Sequence, residues 1–219
     1  MKKLGIAILC LMMLWGCSHS DNQKKDVVNE NGIEVKNGDV VKIDFVGKLN
    51  GKAFANGSAK NQIVELGAGN YIEGFEEQIV GMKTGSQKTI TVTFPKNYGS
   101  SDLAGKECTF DITLHNVYKD IKETASEGDI VVIDYVGKLD GQVFQGGSAN
   151  HYLLELGSGQ FVPGFEDQLM GTKTGESKTI KITFPANYGS TYIGDKEVSL
   201  ANQEVTFDVS INHVLRVEK

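Results

Sequence analysis

Between residues 40 and 49 apolar and polar positions alternate: Val41, Ile43 and Phe45 are separated by Lys42 and Asp44. The same period of two recurs at Ile90, Val92 and Phe94 around Thr91 and Thr93, and at Phe110, Ile112 and Leu114 around Asp111 and Thr113. β-Branched and aromatic residues at that spacing predict half-buried antiparallel strands. Asn50-Gly51 and Asp140-Gly141 lie between apolar runs and predict tight hairpins. One stretch keeps a helical period instead. Phe75, Ile79 and Met82, repeated approximately as Phe165 and Leu169, predict a short helix with one apolar side. A single short helix on a curved antiparallel sheet makes an α+β unit.

That unit occurs twice. GDVVKIDFVGKLNGKAF, from Gly38, returns as GDIVVIDYVGKLDGQVF, from Gly128, an offset of 90 that holds without a gap to Ser100 and Ser190. The period is too long for a solenoid, whose repeats run about 20 to 50 residues. Each copy is long enough to be a small domain with its own core. The copies diverge only after Ser190, where Phe110 corresponds to Phe207 at an offset of 97, so the second copy holds seven extra residues around Tyr192 to Val198. An insertion confined to one loop either covers a neighbouring site or extends its contacts. The expected domains are residues 37–118 and 119–219, joined through the charged stretch Tyr118 to Glu127.

The N-terminus changes the picture of where such a chain works. Lys2 and Lys3 precede an apolar run from Leu4 to Trp15, then small Gly16 and Cys17. This order is that of a secretory signal peptide over residues 1–16, too short to span a bilayer. Leu14-Trp15-Gly16-Cys17 resembles a bacterial lipobox, with Trp15 replacing the small or branched residue usual there, and implies a diacylglyceryl group on Cys17. The alternative is a plain signal peptide cut near Gly16. Polar residues 17–36 then read as a flexible tether. The expected location is the bacterial cell envelope, outside the cytoplasm, with the bilayer as one partner through Cys17.

Composition removes several function classes. The chain carries 22 basic against 28 acidic side chains, net -6, and Arg216 is its single arginine, so a nucleic-acid-binding face is not expected. Cys108 sits where the second copy has Val205 and reads as a buried apolar thiol. His115 and His151 occupy no shared position, and His213 stands where the first copy has Asn116. No Ser/His/Asp set, zinc spacing or phosphate loop recurs, so neither metal nor cofactor is expected.

What both copies share is aromatic: Phe45/Tyr135, Phe54/Phe144, Tyr71/Phe161, Phe75/Phe165, Tyr98/Tyr188 and Phe110/Phe207. Taken singly, such residues are core. Tyr98 and Tyr188, however, fall in FPKNYGS and FPANYGS loops, where no strand is available to bury a large ring, and they point to a pocket rim. VGKLxGxxF, then ELGxGxxIxGFEEQIVGMKTGxxKTIxVTFPxNYG, then FDI resembles an FKBP-type peptidyl-prolyl cis-trans isomerase domain, and the spacing is most similar to the isomerase domain of trigger factor. The resemblance covers both copies nearly end to end. It implies two tandem FKBP-like domains, each a curved antiparallel sheet wrapped around one short α-helix.

The resemblance also implies site residues. Phe75 and Phe165 correspond to the pocket floor, and Phe45/Tyr135, Phe54/Phe144 and Phe110/Phe207 to its walls. Ile72 and Val162 match the residue whose backbone N–H takes a substrate carbonyl, Tyr98 and Tyr188 the loop tyrosine whose hydroxyl does likewise, and Tyr71 and Phe161 line the rim. A further pocket aromatic falls on Tyr152 in the second copy but on Gln62 in the first, which makes the second the fuller and more active site. Ala55 and Gln145 stand where the family usually places an acid. The implied activity is peptidyl-prolyl isomerisation of proline-containing segments of exported proteins. A weakly catalytic chaperone or binding module for the same segments is the second reading, and a structural spacer the third.

Overall fold

The computed structural model describes residues 26–219. The expected signal peptide, Cys17 and the first part of the tether lie outside the described residues. The first copy forms β1 (Val40–Leu49), β2 (Lys52–Glu65), β3 (Gln87–Thr93) and β4 (Glu107–Asp120). The second forms β5 (Ile130–Leu139), β6 (Gln142–Glu155), the helix α1 (Phe165–Leu169), β7 (Ser177–Thr183), a small hairpin of β8 (Ser190–Ile193) and β9 (Lys196–Ser199), and β10 (Glu204–Val217).

The expected strands and hairpins are present, antiparallel throughout. Asn50 (φ 52°) and Gly51 (φ 76°) turn β1 into β2, and Asp140 (φ 50°) and Gly141 (φ 79°) do the same between β5 and β6. Two left-handed residues in succession give the turn whose twist matches that of its strands. Both first strands carry the same two irregularities, at Ile43/Phe45 and Val46/Lys48, and at Ile133/Tyr135 and Val136/Lys138. Such bulges bend a strand and re-aim its side chains.

The two copies differ at the expected helix. Phe165–Leu169 is α-helical, but the matching stretch of the first copy is a run of turns, with Ile79 and Val80 N–H both reaching Glu76 O. Ile79-Val80 stands where the second copy has Leu169-Met170, and β-branched side chains lose more rotamer freedom in a helix. The apolar side forms regardless, since Phe75, Ile79 and Met82 are all buried.

Residues 26–36 are not tether. Val35 is fully buried in the first core and exchanges backbone bonds with Gly81 and Met82, and Val27 bridges Gln87 at the outer edge of β3. Asp26 and Asn29 reach the Thr89 N–H and, through the backbone, the Ser86 hydroxyl. Apolar Val27, Ile33 and Val35 among polar neighbours supply a strap that composition alone hides. The boundary at 118/119 also shifts, because it cuts β4, which runs to Asp120.

The copies are fused into one eight-stranded sheet, ordered β2-β1-β4-β10-β5-β6, with β3 on β4 and β7 on β10. At the junction Arg216 pairs with Lys119, its own counterpart at the offset of 97, so the units meet about a local two-fold axis. Period two then decides what faces what. Val41, Ile43 and Val64 point into the first core and Val131, Ile133 and Leu154 into the second, while Val40, Tyr118, Ile130, Val132 and Leu215 form a third cluster between the units with Ile63 and Leu153. Lys42–Glu155 at 2.6 Å and His151–Glu65 at 2.7 Å close this seam. The two halves of the sheet therefore share one apolar cluster at the seam, and each core-facing side belongs to its own unit.

Candidate functional site

Each unit holds one ring-walled cavity, of about 570 Å³ in the first and 410 Å³ in the second. Phe75 is the floor of the first, 1% exposed, with Tyr71 stacked on it at 4.7 Å and Phe45 and Phe110 edge-on at 5.5 and 5.3 Å. Phe54 meets Phe110 edge-on at 5.9 Å. Edge-to-face and offset contacts are the arrangements aromatic rings favour, so the wall is rigid as well as apolar. Phe45, Phe54, Tyr71, Ile72, Phe75, Tyr98 and Phe110 all line this cavity.

In the second unit Tyr135, Phe144, Phe161, Val162, Tyr188 and Phe207 line the cavity. Two expected residues do not. Phe165 is fully buried beneath Phe161, Phe207 and Tyr135, at 4.5, 5.2 and 5.9 Å between ring centres. Tyr152 packs edge-on against Tyr135 and Phe161, at 6.1 and 5.2 Å, and is not among the residues lining the cavity. The extra aromatic thus contacts two wall rings without adding to the cavity lining. Burial, with the neighbouring Tyr152 and Tyr188, pushes the Tyr135 hydroxyl above its ordinary range, and burial with the Glu76 charge does the same for Tyr71.

The bulged strands decide how closely the rings approach. A Cβ on Gly47 would sit 2.6 Å from Phe54 Cζ and 2.7 Å from Phe110 Cε1, and one on Gly137 would meet Phe207 and Phe144 at 2.7 and 2.8 Å. Only glycine admits both rings at these positions. At the mouth, Tyr98 and Tyr188 are 42% and 44% exposed, each held edge-on against a buried Phe94 or Phe184 at 4.6 and 4.3 Å. Their backbone N–H groups close short turns onto Pro95 and Pro185. Among the described residues no acceptor takes the N–H of Ile72 or of Val162.

Sequence reasoning passed over two features. Phe94 and Phe184 line the cavities although their period marked them only as strand core. Glu76 and Glu166 are buried carboxylates, 4% and 7% exposed, that organise the rim. Glu76 accepts the N–H groups of Gly67, Gly69, Asn70 and Tyr71, and Glu166 those of Gly157, Gly159 and Phe161 with the Ser158 hydroxyl. A charged acceptor makes these bonds strong and its loss costly. The loop that presents Ile72 or Val162 is thereby set from below. The signal was available, because Gly-Phe-Glu recurs at the same place in both copies.

The insertion of the second copy is the β8–β9 hairpin. Ile193 and Val198 pack on the second core, and Thr191 Oγ1 donates to Gln145 O at 2.7 Å. None of its residues lines the cavity, so it flanks the site and does not cover it. Cys108 is buried, which raises its thiol above the usual range and leaves no nucleophile. Among the described residues no group of three His, Cys, Asp or Glu could hold a metal ion.

The model of the family described as FKBP-type peptidyl-prolyl cis-trans isomerase matches residues 32–115 and 121–212. Trigger factor of Novosphingobium aromaticivorans is 53% identical over 95 residues, which is 43% of this chain and 18% of that protein. Trigger factor of Lactococcus lactis subsp. cremoris is 52% identical over 95 residues, 43% of this chain and 21% of its own length. The chain thus spans about a fifth of these relatives.

Proposed function

The chain belongs to the FKBP-type peptidyl-prolyl cis-trans isomerase family, and from that premise we propose that each cavity seats the proline of an X-Pro segment and speeds its cis-trans exchange. One observation carries the reading: an apolar ring-walled cavity with a free backbone N–H and an exposed phenol at its mouth, built twice. Rotation about an X-Pro bond costs about 18 to 20 kcal/mol because amide resonance is broken, and unaided it takes tens to hundreds of seconds. In the twisted amide the carbonyl oxygen and the nitrogen lose their charge separation. An apolar wall therefore favours the twisted state over the planar, hydrated one. The Ile72 or Val162 N–H and the Tyr98 or Tyr188 hydroxyl hold flanking carbonyls in place. No proton moves, so no acid-base pair is needed.

The N-terminal pattern supports work outside the cytoplasm on exported chains, with Cys17 as the lipid anchor. Mass spectrometry of the mature N-terminus tests the anchor, and an unmodified terminus other than Cys17 overturns it. Because the cavities lie in separate units and share no lining residue, two segments bind independently.

A protease-coupled isomerisation assay on Xaa-Pro peptides tests the activity. The expected result is catalysis that falls in a Tyr98→Phe/Tyr188→Phe double variant with the fold unchanged. Uncatalysed rates with peptide still bound would favour the binding-module reading, to which Ala55 and Gln145 in place of the family's acid lend support.

A further inference from the structure

The cavities keep aromatic rings at matching wall positions but differ in charge at one rim position. Glu73 lines the first where Pro163 lines the second. It is the sole charged side chain among the lining residues of either cavity, and Lys96, in the loop that carries Tyr98, stands outside the lining. The neighbouring acids are engaged elsewhere. Glu76 is buried under the rim loop, and Glu77 Oε2 accepts the Gly74 N–H at 3.0 Å. The Glu73 carboxylate is exposed and has no hydrogen bond or ion pair among the described residues. It also follows Ile72 directly, and Gly74, at φ 86°, turns the chain away after it. A segment held by a carbonyl at the Ile72 N–H therefore runs beside a free negative charge.

Resting on the proline reading above, we infer that the two cavities sort their substrates by charge. The first favours a lysine or arginine adjacent to the proline. The second, rimmed by Phe161 and Pro163, has no charged side chain in its lining and is indifferent to that charge. An exposed ion pair of this kind changes affinity about two- to five-fold and weakens with salt, because the Debye length shrinks from about 10 Å at 0.1 M to 3 Å at 1 M.

Amide NMR reads the two sites separately in one molecule. The chain from Ser18 onward, which keeps both units, is labelled with nitrogen-15 and titrated with capped tetrapeptides carrying lysine before or after proline, and with their norleucine counterparts. The expected result is a lysine peptide that shifts the Ile72 amide at about two- to five-fold lower concentration than its norleucine partner, with no such gap at Val162. The gap closes in Glu73→Gln and at high salt. Equal lysine-to-norleucine ratios at both amides, or a ratio that survives Glu73→Gln, overturn the inference while leaving the proline reading intact. If no peptide shifts either amide, the proline reading falls and takes this inference with it.

Discussion

The first and second units keep the same rings in the same order, yet they spend their remaining residues differently. The first has the larger cavity, a charged rim and no regular helix. The second has a smaller cavity with Tyr152 against two of its rings, an uncharged rim, a five-residue helix and a hairpin at its flank. The difference teaches that the wall is what the unit cannot vary, because ring-on-ring packing and the close glycines leave no slack. The rim and supports answer to no such constraint and are free to diverge.

The floor rings offer the largest test. Phe75→Ala and Phe165→Ala each leave a cavity in a closed core and should cost about 3 to 5 kcal/mol in urea unfolding. Their effects on binding should differ. Phe75 lines its cavity, so peptide shifts at Ile72 vanish, whereas Phe165 lies beneath and its loss should leave part of the response at Val162. Equal losses at both sites would mean that the second cavity reaches its floor after all.

Next come the buried carboxylates. Glu76→Gln keeps one acceptor oxygen and strands two of the four N–H groups, and Glu166→Gln strands one or two of three, at about 1.5 to 3 kcal/mol for a charged acceptor. Hydrogen exchange at Tyr71 and Phe161 should quicken in the matching variant only. If neither amide responds, the carboxylates do not set the rim. Replacing 191–198 by the short turn of the first unit removes the packing of Ile193 and Val198, roughly 2 kcal/mol. It should move amides around Val162 and leave those around Ile72 in place. Any change at Ile72 would show the units to be coupled through their shared sheet.

The smallest effect lies at the seam. Burial alone would raise the Asp129 carboxyl, but hydrogen bonds from Arg216 and Ser126 outweigh it and hold the group below the usual range. A carboxyl lowered by folding adds stability above its unfolded value, near 3.9, and that stability is lost as pH falls through the folded value. Arg216 grips Asp129 with Nε and Nη2 at 2.8 and 2.7 Å, while its symmetry mate Lys119 meets Asp39 with a single ammonium. Arg216→Gln should therefore move the acid-unfolding midpoint to higher pH, and by more than Lys119→Gln does. An equal shift would refute the distinction.

Much of this was legible in the residues. Period two marked the strands, Asn-Gly and Asp-Gly the hairpins, and the internal repeat separated shared aromatics from incidental ones. The strap over residues 26–36 was hidden because only Val27, Val28, Ile33 and Val35 interrupt a polar stretch, too few to show a period. Glu76 and Glu166 were hidden because a glutamate is ordinarily solvated, and nothing in the string says that four backbone donors converge on it. That Tyr152 contacts the wall rings without lining the cavity was hidden because alternation gives the face of a strand but not how far along it the cavity extends.

By itself, then, the sequence determined the unit: its strands, its turns and the rings that must meet, since these follow from local geometry and from the need to bury apolar faces. Only the tertiary structure decided the assembly. Whether β4 and β10 pair, and whether the two units meet across a shared apolar cluster, depend on the second set of alternating positions, Val40, Tyr118, Ile130 and Leu215. Read along the chain, those positions are the solvent side of ordinary strands. They become core only when the two sheets meet, because burial is a property of the partner as much as of the residue.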